Sequence, residues 1–298
     1  MQDRSNLLTE QRLPESMRLD AMSIEDAVAL MNREDRKAVD AVATQQRQIA
    51  QAVRIVADAF KKGGRLFYVG AGTSGRLGVL DASECPPTFR TDPQMVQGII
   101  AGGQAAMFRA QEGAEDRADD GAAQMDAQNV GSDDVVMGIA AGGTTPFVHG
   151  ALGRAAERGA RTIFVACVAP TPSEAKVDLE IRPLVGPEVL TGSTRLKAAT
   201  ATKLVLNTIT TLAMVQLGKV HENLMVDLKA SNQKLRDRAA RIVSTLTGLD
   251  RTAAIDLVDR ADGHVKAAIV MHAKSVDLAA AAGLLDAANG SLREAIET

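Results

Sequence analysis

The stretch from Arg65 to Phe89 constrains the fold more than any other part of the sequence. A short apolar run at 66–69 leads directly into three closely spaced glycines, Gly70, Gly72 and Gly75. The length and the β-branched and aromatic content of this run predict a buried strand, and glycines permit a tight turn that another molecule can approach closely. Thr73 and Ser74 add hydroxyl groups at the start of a predicted helix, whose N-terminal amides favour anions. The stretch therefore predicts a strand, a phosphate-binding turn and a helix of an α/β protein.

The glycine pattern alone leaves several interpretations open. It fits G-x-G-x-x-G of dinucleotide sites, but such sites expect an acidic residue about 20 residues further on, and residues 95–100 contain none. A nucleotide P-loop is disfavoured because Arg76 and Leu77 stand where Lys and Ser or Thr are needed. A tight turn without a ligand stays open. The pattern favours a site for one phosphate monoester, such as a sugar phosphate.

Composition limits the classes of function. The chain of 298 residues is long enough for one large α/β domain and a smaller module. Its net charge of -3 makes no electrostatic case for nucleic acid, and no apolar run approaches the roughly 20 residues that cross a bilayer. With no signal-type N-terminus and only Cys85 and Cys167 as cysteines, we expect a cytoplasmic protein without membrane contact or a structural disulfide.

Apolar runs bounded by glycine and polar residues predict a mostly parallel, doubly wound α/β sheet flanked by helices. The strands are expected at 66–69, 95–101, 135–140, 161–167 and 179–184, with the last at an edge. We expect residues 1–54 to form a helical lead-in and 55–234 the α/β domain. Residues 235–298 are rich in alanine and interrupted by glycines, so they predict a small all-α module.

Periodicity predicts helices before and between these strands. Ser23 and Asp26 resemble a capping box that starts a short helix. A longer helix is expected from about Asp35 to the glycine pair at 63–64. Residues 104–128 are predicted to form a single helix that carries Glu115.

Two further segments place small hydroxyl residues before predicted helices. After the strand at 135–140 come Gly142, Gly143, Thr144 and Thr145, followed by Pro146, which suits the first turn of a helix. Because the carboxyl ends of parallel strands meet at one edge, we expect this turn and the first one to surround the same ligand. Further on, Ser193 is a candidate helix cap, and Arg195 and Lys197 either offset the charge of a phosphate or face solvent.

Five motifs give the chain a close resemblance to a known family. They are Gly-Ala-Gly-Thr-Ser-Gly-Arg-Leu-Gly at 70–78, Asp-Ala-Ser-Glu-Cys-Pro-Pro-Thr at 81–88, Glu-Gly-Ala-Glu-Asp at 112–116, Thr-Gly-Ser-Thr-Arg-Leu-Lys-Ala at 191–198 and Asn-Leu-Met-Val-Asp at 223–227. From about residue 6 to 245 the sequence resembles the N-acetylmuramic acid 6-phosphate etherases. The resemblance implies the sugar isomerase (SIS) fold, a phosphosugar substrate, a homodimer, no metal or organic cofactor, and a C-terminal module similar to a ubiquitin-associated fold.

The resemblance also implies a reaction and its residues. The family cleaves the lactyl ether of its substrate, giving N-acetylglucosamine 6-phosphate and D-lactate in the recycling of cell-wall amino sugars. Its catalytic carboxylates fall on Glu84, which would protonate the departing lactyl oxygen, and on Glu115, which would handle the C2 proton before water adds. Apolar neighbours of Glu84 predict partial burial of its carboxyl group, which would favour the protonated form. We expect the substrate-binding residues to be Gly72, Thr73, Ser74, Ser83, Gly143, Thr144, Thr145, Ser193 and Lys197.

One departure and two alternatives accompany this resemblance. The family usually shows Ala-Ser-Gly-Arg-Thr-Pro in the second turn, whereas here Ala141 precedes Gly-Gly-Thr-Thr-Pro, so a serine hydroxyl and an arginine are missing. We expect phosphate binding to survive with altered strength or selectivity. A non-catalytic phosphosugar sensor resembling the glucokinase regulatory protein would share the fold, and an aldose-ketose isomerase would share the phosphate turn. The pair of Glu84 and Glu115, and the absence of a second SIS-like half, favour the etherase.

Overall fold

The computed structural model describes residues 6–172, 174–228 and 233–297. The chain divides into two compact units. The first consists of Met1–Ser83 and Gln94–Thr210, and the second of Glu84–Pro93 and Thr211–Thr298. Compactness alone does not establish independent folding, so the predicted domain boundaries at residues 54 and 234 stay predictions.

A five-stranded parallel sheet lies at the centre of the first unit. In chain order its strands are β1 (Leu66–Gly70), β2 (Val96–Ile100), β3 (Val135–Ile139), β4 (Arg161–Val165) and β5 (Leu179–Ile181). Their spatial order is β2-β1-β3-β4-β5, and every neighbouring pair is parallel. The predicted parallel sheet and the edge position of β5 are confirmed. β5 ends earlier than predicted, because the amide of Arg182 donates to Gln45 Oε1 at 2.9 Å and Pro183 has no N–H to continue the ladder.

Helices precede, separate and follow these strands. Among the described residues they are α1 (Ile24–Ala43), α2 (Gln46–Lys61), α3 (Gly72–Phe89), α4 (Ala105–Phe108), α5 (Ala118–Ala127), α6 (Pro146–Glu157) and α7 (Lys197–Gln216). The predicted helix start is confirmed, since Ser23 Oγ accepts from the Asp26 amide at 3.1 Å. The Asp26 carboxylate accepts from the Ser23 hydroxyl at 2.8 Å.

Two of the predicted helix boundaries are wrong. The first helix does not stop before Asp35 but continues to Ala43, because Leu30, Glu34 and Ala38 form one uninterrupted buried stripe. Residues 104–128 do not form a single helix, since Gly113 adopts a left-handed conformation with φ of 74° and separates α4 from α5. A lone glycine inside a helical pattern permits both outcomes from sequence alone.

Helices cover both faces of the sheet, which confirms the doubly wound fold. On one face, Phe67, Val136 and Phe164 are buried against α5 and α6. Alternate strand residues point to the other face, where the Tyr68 hydroxyl donates to Asp81 of α3 at 2.8 Å. The chain order reverses between β1 and β3, and the crevice at the carboxyl ends of such strands is the usual ligand position in this class of sheet.

In the described residues of the second unit, the regular secondary structure is helical apart from an isolated bridge between His221 and Leu224. Beyond the end of α7 its described helices are α8 (Gln233–Thr247), α9 (Arg251–Arg260), α10 (Val265–Lys274), α11 (Leu278–Ala287) and α12 (Leu292–Glu297). Their apolar faces share one buried cluster, which includes Leu257, Val265 and Leu292. The predicted small helices at the C-terminal end of the chain are confirmed.

One described helix, α7, has the length and apolar composition of a membrane span, and half of its apolar stretch is buried within the chain. Two of its residues, Ala198 and Ala201, lie in a buried cluster with Ala38 and Cys167. Core helices of folded domains have the same composition, so this helix alone makes no case for membrane insertion.

Candidate active site

The turn after β1 provides a helix N-terminus with unused hydrogen-bond donors. Gly72 has a φ of 50° and begins α3. A Cβ on Gly70 would lie 2.7 Å from the Gly75 nitrogen, so only glycine allows the turn and the helix to pack this closely. Thr73 and Ser74 are half-buried, and their hydroxyls have no partner among the described residues. These are the donors that a bound anion would use.

A cavity of about 310 Å³ opens beside this turn. Its lining comes from the turn, the end of β2 and the segment before α5, and it includes Gly72, Arg76 and Glu115. Glu115 lies in a single 3-10 turn, Ala114–Asp116, directly after the left-handed Gly113. The fold thus brings one predicted catalytic carboxylate and the first glycine turn to the same cavity.

The side chain of Arg76 shapes this cavity by binding backbone carbonyl groups. Its guanidinium donates to the carbonyl oxygens of Ala106 at 2.7 Å and Met107 at 3.0 Å, which ties α4 to α3. In the sequence, Arg76 stands out only as the residue that breaks a nucleotide pattern. Its carbonyl partners lie far along the chain, and no local pattern signals them.

The other predicted catalytic residue, Glu84, lies on α3 with an exposed side chain, and so does Ser83. The Ser83 hydroxyl donates to the Leu80 carbonyl at 2.8 Å. Cys85 is buried, but successive helix residues point about 100° apart, so the burial of Cys85 does not extend to Glu84. The expected burial of the Glu84 carboxyl is therefore wrong. Glu84 belongs to the second unit and Glu115 to the first, and their joint action on one ligand stays a prediction.

The turn after β3 follows the strand next to β1, so both glycine turns lie at the same edge of the sheet. Thr144 and Thr145 are half-buried, and neither hydroxyl has a partner within the described part of the chain. Pro146 begins α6, as predicted. This turn therefore presents a second set of free donors at a helix N-terminus.

Gly143 fixes the path of this second turn. Its φ is 75°, and its carbonyl accepts a hydrogen bond from His149 Nε2 at 2.7 Å. A Cβ at this position would lie 2.9 Å from Glu174 Oε1, and Glu174 is ion-paired with Arg182. Glycine is thus required here both by backbone conformation and by the neighbouring ion pair.

Ser193 does not cap α7, so that prediction is wrong. The helix begins at Lys197, and the fully buried Glu188 occupies its N-terminus. The Glu188 carboxylate accepts from the amides of Lys197 at 3.0 Å and Ala198 at 2.9 Å. Burial raises the pKa of Glu188, although these two amides oppose the shift. A carboxylate from the preceding loop has taken the position predicted for a serine hydroxyl.

Lys197 points into the protein, whereas Arg195 is exposed. The side chain of Lys197 is 1% exposed, and Nζ lies 2.6 Å from Glu34 Oε2. Burial alone would raise the pKa of Glu34, but hydrogen bonds from Lys197 and Lys37 hold it below its usual value. Lys197 therefore has a protein partner, and its contact with substrate stays a prediction.

The start of α7 is positioned by two residues that the sequence did not predict, Glu34 and Glu188. One signal for Glu34 was available, because it lies four residues from both Leu30 and Ala38 on an apolar stripe. An acid within such a stripe predicts a buried cationic partner. Glu188 lies in a loop, where no periodicity marks it.

Comparisons with known proteins find relatives over nearly the whole chain. A family model described as the glucokinase regulatory protein N-terminal SIS domain matches residues 48–156. A protein of Trichormus variabilis named N-acetylmuramic acid 6-phosphate etherase is 56% identical over 296 residues, which cover 99% of this chain and 96% of the relative. One of the same name from Gloeobacter violaceus is 58% identical over 270 residues, covering 91% and 88%. Among solved structures, a phosphoheptose isomerase from Francisella tularensis matches with a TM-score of 0.46 and 13% identity over 65% of this chain and 98% of that chain.

Proposed function

Because the chain belongs to the N-acetylmuramic acid 6-phosphate etherase family, we propose that it cleaves the lactyl ether of this substrate to N-acetylglucosamine 6-phosphate and D-lactate. The observation that carries the proposal is that more than half of the residues are identical to relatives of that name over nearly their full length. The cavity beside the first glycine turn supports it. On this proposal the protein is a carbon-oxygen lyase of amino-sugar recycling that acts in the cytoplasm without a cofactor.

The two glycine turns are proposed to hold the 6-phosphate group. Each precedes a helix N-terminus, where unpaired amides and the helix dipole favour an anion. The hydroxyls available there can add hydrogen bonds to phosphate oxygens, and such charge-assisted bonds are stronger than neutral ones. The proposed binding set is Gly72, Thr73, Ser74, Ser83, Gly143, Thr144, Thr145, Ser193 and Lys197.

The chemistry requires an acid and a base acting on the open-chain sugar. In the aldehyde form, the ether oxygen on C3 is β to the carbonyl group, so loss of the C2 proton and cleavage of the C3–O bond give an unsaturated aldehyde. An alkoxide leaves poorly, so the lactyl oxygen must be protonated as the bond breaks. Glu115 takes the C2 proton and Glu84 protonates the lactyl oxygen, each contributing roughly 10²–10⁴ in rate. Water then adds at C3 and restores the hydroxyl group of the product.

The same proposal includes a homodimer. Along α1, the apolar side chains of Ile24, Val28, Met31 and Val39 are exposed and recur at helical spacing. An apolar helix face of this kind is typical of an association surface, and a second copy of the chain is the proposed partner. Replacing Val28 by Asp should lower the mass measured by light scattering to that of one chain, whereas Glu25→Gln on the same helix should leave it unchanged. A single-chain mass for the wild type would contradict the dimer.

A non-catalytic phosphosugar sensor is not favoured. The regulatory-protein family model matches only residues 48–156, whereas the relatives named as etherases align over at least nine-tenths of the chain. A sensor also has no use for a pair of carboxylates acting on an ether bond. Binding of the sugar phosphate without release of lactate would restore the sensor interpretation.

Release of D-lactate from N-acetylmuramic acid 6-phosphate tests the proposal. We expect the wild type to release lactate, and Glu84→Gln and Glu115→Gln to lose roughly 10²–10⁴ in rate, since each removes a proton-transfer group. Glu112→Gln is the matched control, because Glu112 lines the same cavity as Glu115 and has no proposed role. An equal loss for Glu112→Gln and Glu115→Gln would contradict the assignment of Glu115.

A further inference from the structure

Thr9 carries a buried hydroxyl group without a partner. It lies in the 3-10 turn Leu8–Glu10, within the N-terminal segment predicted to be a lead-in to the core. No part of the residue is exposed, and within the described chain its Oγ1 makes no hydrogen bond. Buried hydroxyls are normally paired, because an unpaired one loses its bonds to water without replacement. The position therefore needs an explanation.

The hydroxyl faces the second glycine turn. A Cβ built on Gly142 would lie 3.8 Å from Thr9 Oγ1, which is the sole contact within 4 Å found for it among the described residues. Since Gly142 has no side chain, the Thr9 hydroxyl is the polar side-chain group closest to this point of the turn. The N-terminal segment thus supplies a side-chain donor at Gly142, which has no side chain of its own.

The segment around Thr9 is held firmly at this edge of the sheet. The Thr9 carbonyl accepts from the Gly192 amide at 3.2 Å, which joins it to the loop before α7. Leu7 and Leu8 pack against a buried cluster that includes Ala140, the residue directly after β3. The backbone of the segment that carries Thr9 is therefore held by contacts on both sides.

The second glycine turn carries amide donors that lack an acceptor. In the described part of the chain, the amides of Gly142, Thr144 and Thr145 have no hydrogen-bond partner, and they precede the N-terminus of the twelve-residue helix α6. A hydroxyl and several amides at a helix N-terminus complement an oxyanion, which has only acceptors. Phosphate oxygens supply more acceptors in a small volume than a neutral group does.

We propose that the Thr9 hydroxyl donates a hydrogen bond to an oxygen of the substrate phosphate held by the second glycine turn. The inference rests on the proposed function and deepens it, because it makes the N-terminal segment part of the phosphosugar site. It also explains the unpaired hydroxyl, which gains its partner when the phosphate binds. Thr9 is thus a specificity residue for the phosphate group, with no part in the proton transfers.

Thr9→Val is the decisive variant, because valine keeps the shape of threonine and replaces only the hydroxyl by a methyl group. Binding of inorganic phosphate, N-acetylglucosamine 6-phosphate and unphosphorylated N-acetylglucosamine is measured by calorimetry, and the stability of the free protein by thermal unfolding. We expect Thr9→Val to weaken binding of both phosphorylated ligands about tenfold or more, the usual worth of a hydrogen bond to a charged group. Any binding of the unphosphorylated sugar should not change. The free variant should be at least as stable as the wild type, because an unpaired buried hydroxyl is gone.

Two further variants separate binding from packing. Thr9→Ser keeps the hydroxyl and should restore the affinity of the wild type to within about threefold. Thr91→Val is the matched control, since Thr91 is also a buried threonine whose hydroxyl is unpaired in the described structure, but it lies in the second unit. It should leave phosphate affinity unchanged.

Equal affinity of Thr9→Val and wild type for both phosphorylated ligands would overturn the inference. A loss of affinity that accompanies a less stable free protein, and that Thr9→Ser does not restore, would also overturn it, because it would indicate a packing role. If the wild type binds inorganic phosphate with a loss in Thr9→Val but releases no lactate, the Thr9 assignment stands and the proposed etherase activity fails. The two proposals therefore fail through different measurements.

Discussion

Replacement of Lys197 by Met tests whether this residue is held by the protein, as the structure indicates. The variant keeps the length of the side chain and removes the ammonium group, which lies 2.6 Å from Glu34 Oε2 with 1% of the lysine side chain exposed. Removing one member of a buried ion pair typically costs about 3–5 kcal/mol, because the remaining charge is left unpaired. Glu34 keeps Lys37 at 2.7 Å, which is half exposed, so we expect the lower end, about 3 kcal/mol at neutral pH.

The cost should depend on pH in a defined direction. In the wild type the pKa of Glu34 is held below its usual value, so its contribution to stability is present above the unfolded pKa and is lost as the pH falls through the folded pKa. Without Lys197, the burial of Glu34 favours the protonated form of the Glu34 carboxyl group. Burial likewise favours the protonated form of Glu188, whose pKa it raises. The deficit of the variant relative to the wild type should therefore shrink between pH 7 and pH 4.

A single intrinsic probe reports on the relevant unit. The chain has one tyrosine and no tryptophan, and Tyr68 is buried in β1 of the first unit. Urea unfolding followed by tyrosine fluorescence at several pH values therefore measures the unfolding free energy of that unit. Arg195→Met is the control, because Arg195 is exposed near the same helix start and surface changes usually stay within about 0.5 kcal/mol.

A double variant completes this test. Glu34→Gln combined with Lys197→Met removes both charges, so it should cost less than the sum of the single changes. A deficit for Lys197→Met below about 1 kcal/mol, the size of a typical exposed ion pair, would refute the buried-pair argument. A deficit that grows on acidification would refute the assigned pKa directions.

Three further predictions follow from individual contacts. Gly143→Ala should lower stability by about 1–2 kcal/mol from the left-handed backbone alone and also weaken phosphate binding. Gly142→Ala should be tolerated, because within the described residues its Cβ would meet only Thr9 Oγ1, at 3.8 Å. Equal unfolding curves for the two variants would contradict this. Burial raises the pKa of Cys167 to about 12, so iodoacetamide at pH 8 should leave it unmodified in the folded protein and label it in urea, as mass spectrometry can establish. Burial and the adjacent Arg90 hold the pKa of His264 below its usual value, so the second unit should lose stability as the pH falls below about 6.5. His264→Gln should reduce this loss of stability, which hydrogen exchange of the α10 amides measures.

The sequence predicts the sheet well because its strands are short apolar runs between glycines. The same local logic identifies the N-cap of α1 at Ser23 and the first helical position of α6 at Pro146. Both features depend on residues within one turn of each other. Predictions of this kind succeed because the physical cause is local.

The features that were missed depend on partners far apart in the chain. Glu34 meets Lys197, Glu188 displaces Ser193 as the cap of α7, and Thr9 faces Gly142. No periodicity encodes these pairings, since each is set by how the loops meet at the edge of the sheet. The wrong expectation for Glu84 has a related cause, because apolar neighbours in sequence do not share one face of a helix.

Proton exchange at C2 in deuterated water tests the two-carboxylate account most directly. N-acetylmuramic acid 6-phosphate is incubated with wild type, Glu84→Gln and Glu115→Gln, and nuclear magnetic resonance follows both deuterium at C2 and free D-lactate. The account predicts that Glu84→Gln still exchanges the C2 proton but releases little lactate, and that Glu115→Gln does neither. Lactate release by Glu84→Gln at the wild-type rate, or unchanged C2 exchange in Glu115→Gln, would contradict it.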